Sequence, residues 1–339
     1  MRSAVSVVVT CHNLEKYIGA AIDSVLGQSY PGPVEIVVVD DFSSDDSAAQ
    51  IQSRANVRYL RTPGNLGVLM ATVLGIRETS NDLVFFLDGD DLWRADKLFL
   101  AVPRFEEERE LGLLTHDLEY IDGDGHPIAK ASRPSQVMRT GAASDDAMIR
   151  DGILLHSDYV WLGSAYAIRK SVVDAEGFCD WASGLPDPFN TYQDWPLAFW
   201  AASKPNVRMG YLPDKLFKYR LHGANYSGNA SDADKARRNV RRTRNTMRAM
   251  EEVADASGLP ATVMRATRRK SRYYDYLLNL YEGRRIAAFR GLCASLPHLF
   301  GGSENPAKEL ARFAGVQVLG LRRFVAMAHR GKRRGSVQA

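Results

Sequence analysis

Apolar residues fall along the first two thirds of the chain in short blocks that alternate between two periods. Val5 to Thr10 is a β-branched run, followed by Cys11-His-Asn13 and then by Ile18, Ala21, Ile22, Val25 and Leu26 at helical spacing. Pro31-Gly-Pro33 breaks the chain ahead of a second apolar run, Val34 to Val39. That run passes directly into Asp40-Asp41-Phe-Ser-Ser-Asp-Asp46, where Ser43 or Ser44 offers a cap for the next helix. Val57 to Leu60 predicts a third strand, and Pro63-Gly-Asn-Leu-Gly67 opens a helix through Leu69, Val73 and Ile76. Leu83 to Leu87 predicts a fourth strand, ending at Asp88. An amphipathic helix over about residues 95–108, a strand at Leu113 to His116 and a hairpin signal at Asp122-Gly-Asp-Gly125 follow.

Periodicity weakens from Pro127 to Ser157, which predicts loops and short helices. Ala165 to Ile168 reads as a strand, Ser183 to Thr191 as a mobile loop, and Tyr192-Gln-Asp-Trp195 as the start of a helix reaching about Ala202. Strands at Val207 to Leu212 and Leu216 to Tyr219 lead into Arg220-Leu-His-Gly-Ala-Asn-Tyr-Ser227. Beyond Ser231 the pattern is helical, with breaks expected at Gly258-Leu-Pro260, Pro297 and Gly301-Gly302. Strands alternating with helices predict an α/β fold, a doubly wound, mostly parallel sheet over residues 1–230 with a helical extension over 231–339. Right-handed crossovers put every parallel strand's carboxyl end on one rim, so Thr10 to Asn13, Asp40-Asp41 and Asp88 to Asp91 are expected to meet where open sheets keep their ligands.

Charge divides the chain at the same place. Residues 1–230 carry 21 basic against 31 acidic side chains and residues 231–339 carry 23 against 9, which points to a second module with an anionic partner. The 3 cysteines, Cys11, Cys179 and Cys293, are too few and too widely spaced for a disulfide framework or a zinc site, so a reducing, cytoplasmic setting is expected. No run of about 18 apolar residues suggests a spanning helix, and the first residues lack the pattern of a signal peptide.

The densest chemistry is Asp88-Gly-Asp-Asp91 at the end of an apolar run. Carboxylates this close repel one another unless a cation sits among them, and hard divalent ions take oxygen ligands. The alternative is an acidic first turn that complements the dipole of the following helix.

In their order these motifs resemble the family 2 glycosyltransferases, inverting enzymes of the GT-A fold that use nucleotide-diphosphate sugars, over roughly residues 4–227. The resemblance implies that Thr10-Cys-His-Asn13 lies against the nucleotide base with His12 as the ring, and that Asp40 reads the base. It further implies that Asp88 lies near ribose and metal, that Asp90 binds the ion bridging the phosphates, and that Asp91 is structural. Gln193-Asp194 matches the family's base motif, making Asp194 the expected catalytic residue. Tyr219-Arg-Leu-His-Gly-Ala-Asn-Tyr-Ser227 matches a further segment, apart from a register step at Asn225, and places His222 at the metal or diphosphate. Asn65, Gly67 and Ala71 match the helix after the third strand, with Gly67 in the nucleotide-sugar site, but Thr72 and Val73 stand where Arg and Asn are usual. Phe42 stands where Gly is common. Taken singly, His12, Asp194 and His222 also have structural readings, as a cap neighbour, a helix start and a core histidine. Trp161, Trp195 and Trp200 are candidates for stacking on sugars, with Trp195 preferred on the acceptor side because it adjoins Asp194.

The expected reaction is transfer of a sugar from a nucleotide-diphosphate sugar, a UDP-sugar favoured, to a glycan or lipid-linked acceptor in cell-surface polysaccharide synthesis, with Mn²⁺ or Mg²⁺ as cofactor. A sugar-phosphate nucleotidyltransferase would call for a glycine-rich basic loop after the first strand, where this chain has Cys11-His-Asn-Leu-Glu15. A nucleic-acid-binding role for the run Arg237 to Arg248 lacks a recognised reading motif, so no nucleic acid is expected. In the tail, Phe313, Ala314, Val318, Leu321, Phe324, Val325 and Ala328 recur at helical spacing among arginines. That pattern predicts a helix lying on the anionic inner face of the cytoplasmic membrane or, alternatively, one that docks on the front domain or forms a seam in a homo-oligomer.

Overall fold

The computed structural model describes residues 2–129, 146–155, 162–174, 177–222, 232–299 and 306–335. The chain divides into two compact units, Met1–Ala224 and Asn225–Ala339.

The first unit begins with the alternation read from the sequence: β1 (Val5–Cys11), α1 (Ile18–Leu26), β2 (Val34–Asp40), α2 (Ser47–Gln52), β3 (Arg58–Arg61), α3 (Val68–Glu78) and β4 (Leu83–Asp88). It continues through β5 (Leu92–Trp93), α4 (Lys97–Glu107), β6 (Leu111–Ile121), α5 (Asp146–Leu155), β7 (Ala167–Arg169), α6 (Lys170–Val173), α7 (Phe178–Ser183), α8 (Asp194–Ser203) and β8 (Arg208–Arg220). Among the described residues these strands form one eight-stranded sheet in the order β3-β2-β1-β4-β7-β6-β8-β5. The first four are parallel, whereas β7 runs antiparallel to both neighbours and β5 antiparallel to β8.

Strand residues alternate between two cores because successive side chains point to opposite faces. Val7, Val9, Ile36, Val38, Phe85 and Leu87 pack with Ile18, Ile22 and Val25 of α1 and with Leu98, Val102 and Phe105 of α4. Val37 and Val39 face the other way, against Ala71 and Leu74 of α3. Here α3 lies so close that a Cβ on Gly75 would sit 2.3 Å from Val8 Cγ1. Each fully buried aliphatic side chain of this kind contributes about 1.5–3 kcal/mol.

Several local expectations change. The two strands expected over 207–219 are one, β8; the interruption at Pro213-Asp214 is absorbed as shifts in the parallel pairing with β6, from Leu212 opposite His116 to Phe217 opposite Leu118. Neither Ser43 nor Ser44 caps α2, whose N-cap is Asp46; their polar groups bond Asn13 instead. The expected mobile loop at 183–191 contains a 3-10 turn, Pro188–Asn190, held by the Asp187 carboxylate, which accepts hydrogen bonds from the Asn190 backbone N–H and Nδ2. The hairpin expected after Ile121 is a turn, with one returning bridge at Pro127.

The second unit comprises α9 (Ala233–Ala256), α10 (Ala261–Tyr281), α11 (Arg285–Leu299) and α12 (Pro306–Gly335). Pro297 does not break α11; the break falls instead before it, at Gly283 with φ 77°. The basic run lies largely on a helix seam, where Arg241 pairs with Glu282 and both Arg244 and Arg248 pair with Asp275.

The apolar stripe of the tail is not continuous. Gly320, at φ 72° and ψ 156°, interrupts α12 and turns its two halves so that Gly315 meets the Phe324 ring. Val316, Leu321 and Val325 are buried with Tyr276, Leu277 and Leu292, and Phe313 and Phe324 pack against them, while Val318 is 82% exposed. Most of the stripe expected on a membrane therefore builds the unit's own core. Among the described residues no helix is long and apolar enough to cross a membrane.

Candidate functional site

The parallel register brings the predicted motifs together directly. Cys11 pairs with Asp40 and Thr10 with Asp88, so the ends of β1, β2 and β4 lie side by side on one rim. Asn13 adopts a left-handed conformation (φ 55°) as the chain leaves β1, and its backbone N–H donates to Ser43 Oγ at 2.9 Å. His12 Nδ1 meets the Asp41 carbonyl at 2.6 Å, while Nε2 lies 3.0 Å from Asn65 Nδ2 and 3.1 Å from Asn13 Nδ2. His12 therefore ties three loops together at the surface of the rim.

Asp40 departs from its expected part. Its side chain is fully buried; Oδ1 accepts the Ser43 N–H at 2.8 Å, and Oδ2 accepts from the Tyr59 hydroxyl at 2.8 Å and from Arg61 at 3.2 Å. A carboxylate held by three donors below the surface anchors the end of β2 and does not present itself to a base. Asp41 holds the next loop, accepting the Leu66 and Gly67 N–H groups at 2.7 and 2.8 Å. Gly67 is required there: its φ is 87°, and a Cβ would lie 2.7 Å from the Phe189 carbonyl oxygen.

At the end of β4 the three carboxylates take separate parts. Asp88 Oδ1 accepts from Gln193 Nε2 at 2.7 Å and from Thr10 Oγ1 at 3.2 Å. Burial, then the neighbouring Asp90, raises the Asp88 pKa to about 6. Asp90 Oδ2 lies 3.0 Å from His222 Nε2. Asp91 is fully buried, accepting from Ser164 Oγ at 2.6 Å and from the Arg220 N–H at 2.9 Å, and burial followed by repulsion from Asp90 and Asp88 raises its pKa well above the carboxylate range. The Arg220 side chain continues the same clasp, donating to the Asp90 carbonyl and standing over the Tyr17 ring, which in turn packs against His222 with ring centroids 4.6 Å apart. Asn225 and Ser227 of that segment, and Trp161, lie outside the described residues.

Asp194 opens α8, one residue beyond Gln193. Its Oδ1 accepts the Trp195 N–H at 2.9 Å, but burial outweighs that bond and, with Asp88 adding repulsion, raises its pKa to about 7. Gln193 ties the start of α8 to Asp88 and to α3: Nε2 donates to Asp88 while Oε1 accepts from Thr72 Oγ1 at 2.5 Å. Thr72, noted in the sequence only as a departure, thus orients the amide. Trp195 is half-buried beside Tyr192. Trp200 is buried and stacked on Trp181 at 5.0 Å, so it is a core residue and not a sugar platform.

Sequence reading missed Ser164 and Lys97. Ser164 Oγ accepts the Asp88 N–H and donates to Asp91, while its carbonyl accepts from the buried Lys97 Nζ at 2.7 Å. Desolvation drives the Lys97 pKa well down against the pull of Asp91. The available signal was Lys97 on the apolar face of α4, in line with Ala101 and Phe105.

Asp90 with His222 beside it, and Asp88 on the same rim, offer oxygen and nitrogen donors of the kind a hard divalent cation takes, while Asp91 is sealed below them. Among the described residues, the group that brings three such ligand atoms within 4.8 Å of one another is Asp122, Asp124 and His126, in the exposed turn after β6.

A mixed sheet whose parallel half delivers carboxylates to one rim, with helices on both faces, is an architecture of the GT-A type. Residues 6–161 match the family described as Glycosyl transferase family 2. Residues 6–161 thus form a glycosyltransferase family 2 domain, and the chain is a glycosyltransferase. Among relatives, it is 28% identical over 239 residues to the uncharacterized glycosyltransferase alr2836 of Nostoc sp., covering 68% of each chain. It is 33% identical over 100 residues to the Escherichia coli UDP-Glc:alpha-D-GlcNAc-diphosphoundecaprenol beta-1,3-glucosyltransferase WfgD, an overlap of 29% of this chain and 39% of that one. Two solved structures share the fold. Staphylococcus aureus TarS 1-349 in complex with UDP-GlcNAc has TM-score 0.58 and 18% identity, over 85% of this chain and 79% of that one. The mannosyltransferase PcManGT of Pyrobaculum calidifontis, in complex with GDP-Man and Mn²⁺, has TM-score 0.53 and 18% identity, over 96% and 85%.

Proposed function

We propose that this glycosyltransferase moves a sugar from a nucleotide-diphosphate sugar, a UDP-sugar favoured, onto a hydroxyl of a glycan or lipid-linked acceptor, with inversion, in cell-surface polysaccharide synthesis. The observation that carries the reading is the Gln193 amide, which holds Asp88 at 2.7 Å and places Asp194 on the next residue. A donor-side carboxylate and a candidate base are thereby fixed in one frame. The WfgD name, with its UDP-linked donor and diphospholipid acceptor, and the TarS complex with UDP-GlcNAc support the substrate class.

Asp90 and His222 would hold Mn²⁺ or Mg²⁺, with Asp88 beside them; the Mn²⁺ in PcManGT supports that choice. A divalent ion there supplies Lewis-acid stabilisation of the departing diphosphate without moving a proton. Asp194, with a pKa near neutrality, is matched to accept the acceptor hydroxyl's proton, a contribution of about 10²–10⁴-fold. One base and one displacement invert the anomeric carbon. Trp195 offers its half-buried ring to the acceptor. Peripheral attachment to the inner membrane face rests on the exposed Ile286, Phe289 and Met327 among the arginines of the helical unit.

A thermal-shift panel of uridine, guanosine and thymidine diphosphates, each with and without Mn²⁺, tests the reading. A ligand present at 100 times its dissociation constant stabilises by about 2.7 kcal/mol. Uridine diphosphate with Mn²⁺ is expected to give the largest shift. No shift from any nucleotide would refute the proposal.

A further inference from the structure

Phe42 is out of place by three independent measures. It follows Asp40-Asp41 on the rim and holds φ 60°, a left-handed conformation that is an outlier for a bulky side chain. It is 47% exposed, a large apolar side chain open to solvent. Its ring also has the Arg61 guanidinium 5.1 Å from its centroid. A single exposed aromatic residue is ordinary, and a cation beside it is common. Strain of this kind, however, persists where the surroundings impose it, and it collects at ligand sites.

Those surroundings are explicit. The Phe42 N–H is bound to the Asp40 carbonyl at 2.9 Å, and the preceding carbonyl, that of Asp41, is held by His12. On the far side Arg61 bonds both the Asp40 carboxylate and the Ser43 carbonyl, the latter at 2.7 Å. The turn is clamped from both flanks, with a large flat ring presented outward between them. The clamp is made of the elements that end β1, β2 and β3, where an open sheet receives a nucleotide.

We infer that Phe42 is the stacking platform for the nucleobase of the donor, with Arg61 fixing its ring. This rests on the nucleotide-sugar reading of the rim. It also accounts for Asp40: with that carboxylate buried, stacking on Phe42 takes over the recognition expected of it, and stacking tolerates different bases because each has a π-face.

The experiment measures calorimetric binding of uridine diphosphate and of abasic ribose 5-diphosphate, both with Mn²⁺, to the parent, Phe42→Gly and Phe42→Tyr. Glycine removes the ring and relieves the backbone, so Phe42→Gly should melt no lower than the parent. It should nonetheless bind uridine diphosphate at least tenfold more weakly, with abasic binding within twofold of the parent. Phe42→Tyr should restore the lost affinity. Equal uridine diphosphate affinity in the parent and the glycine variant would overturn the inference and leave the nucleotide reading standing. Equal loss of the abasic ligand would show that the ring serves the loop and not the base. A parent that binds no nucleoside diphosphate would remove both readings together.

Discussion

Asn at position 194 should make the protein more stable and less active, and the stability gain should depend on pH. The side chain keeps its shape, and its amide oxygen can still accept the Trp195 N–H. What disappears is a carboxylate whose pKa rises from 3.8 to about 7 on folding. At 1.36 kcal/mol per pKa unit this is about 4 kcal/mol, or about 2–4 kcal/mol once solvent reaching a half-buried group is allowed for. The native state holds the proton more tightly than the unfolded chain, so in the parent this cost is fully present above pH 7 and vanishes as pH falls towards 4. Without ligands, Asp194→Asn should therefore melt roughly 5–15 °C above the parent at pH 8, and the gap should close by about pH 4.5. Differential scanning fluorimetry across that range reads the effect. A gap that stays constant with pH, or an Asn variant no more stable at pH 8, would refute the assignment of a costly buried charge. Turnover with donor and acceptor should fall by orders of magnitude in the variant, and in the parent it should decline about tenfold per pH unit below 7.

Asp90→Ala should abolish Mn²⁺-dependent uridine diphosphate binding, and calorimetry finding parental affinity would displace the ion from Asp90 and His222. Ser164→Ala leaves the Asp88 N–H and an Asp91 oxygen unpaired in a buried site and should cost about 1–3 kcal/mol in urea unfolding; an unchanged midpoint would mean that Ser164 carries no such burden. A chain ending at Asn305 loses Val316, Leu321 and Val325 from the helical core, at about 1.5–3 kcal/mol each. It should bind a hydrophobic dye and lose the cooperative melting of that unit, and parental melting would return the tail to the role of an unpacked appendage.

β1, β2 and β4 were legible because strands largely buried on both faces read as unbroken apolar runs that end where their chemistry begins. Thr10, Asp40 and Asp88 could be brought together before any coordinates were known, because parallel strands joined by right-handed crossovers allow little else. The later half was less legible. β5 is two residues long, below any periodic signal, and β8 carries a proline within a strand, which sequence rules read as an end. Asp40 shows the limit for a site: residue type and spacing placed it correctly on the rim, but Tyr59 and Arg61, which turn it inward, are single residues on a neighbouring strand. Ser164 and Thr72 are ordinary in sequence and acquire meaning only from partners 76 and 121 positions away. The interruption of the tail stripe was not legible because helical spacing assumes one continuous helix, and a single positive φ at Gly320 divides it.

The clasp around Asp91 bears on how the protein is made. Its carboxylate is buried near the middle of the first unit, yet its partners are Ser164 and Arg220, and Asp90 meets His222. A ribosome that has released only β1 to β4 has exposed the four-stranded parallel half of the sheet but none of these donors. A carboxylate sealed at that stage would have no donor for either oxygen, so closure of the rim must wait until residue 222 has left the exit tunnel. Seen this way, the parallel half is not a separable folding unit, and a split gene with its junction between β6 and β7 should yield an amino-terminal fragment that stays open until its complement arrives.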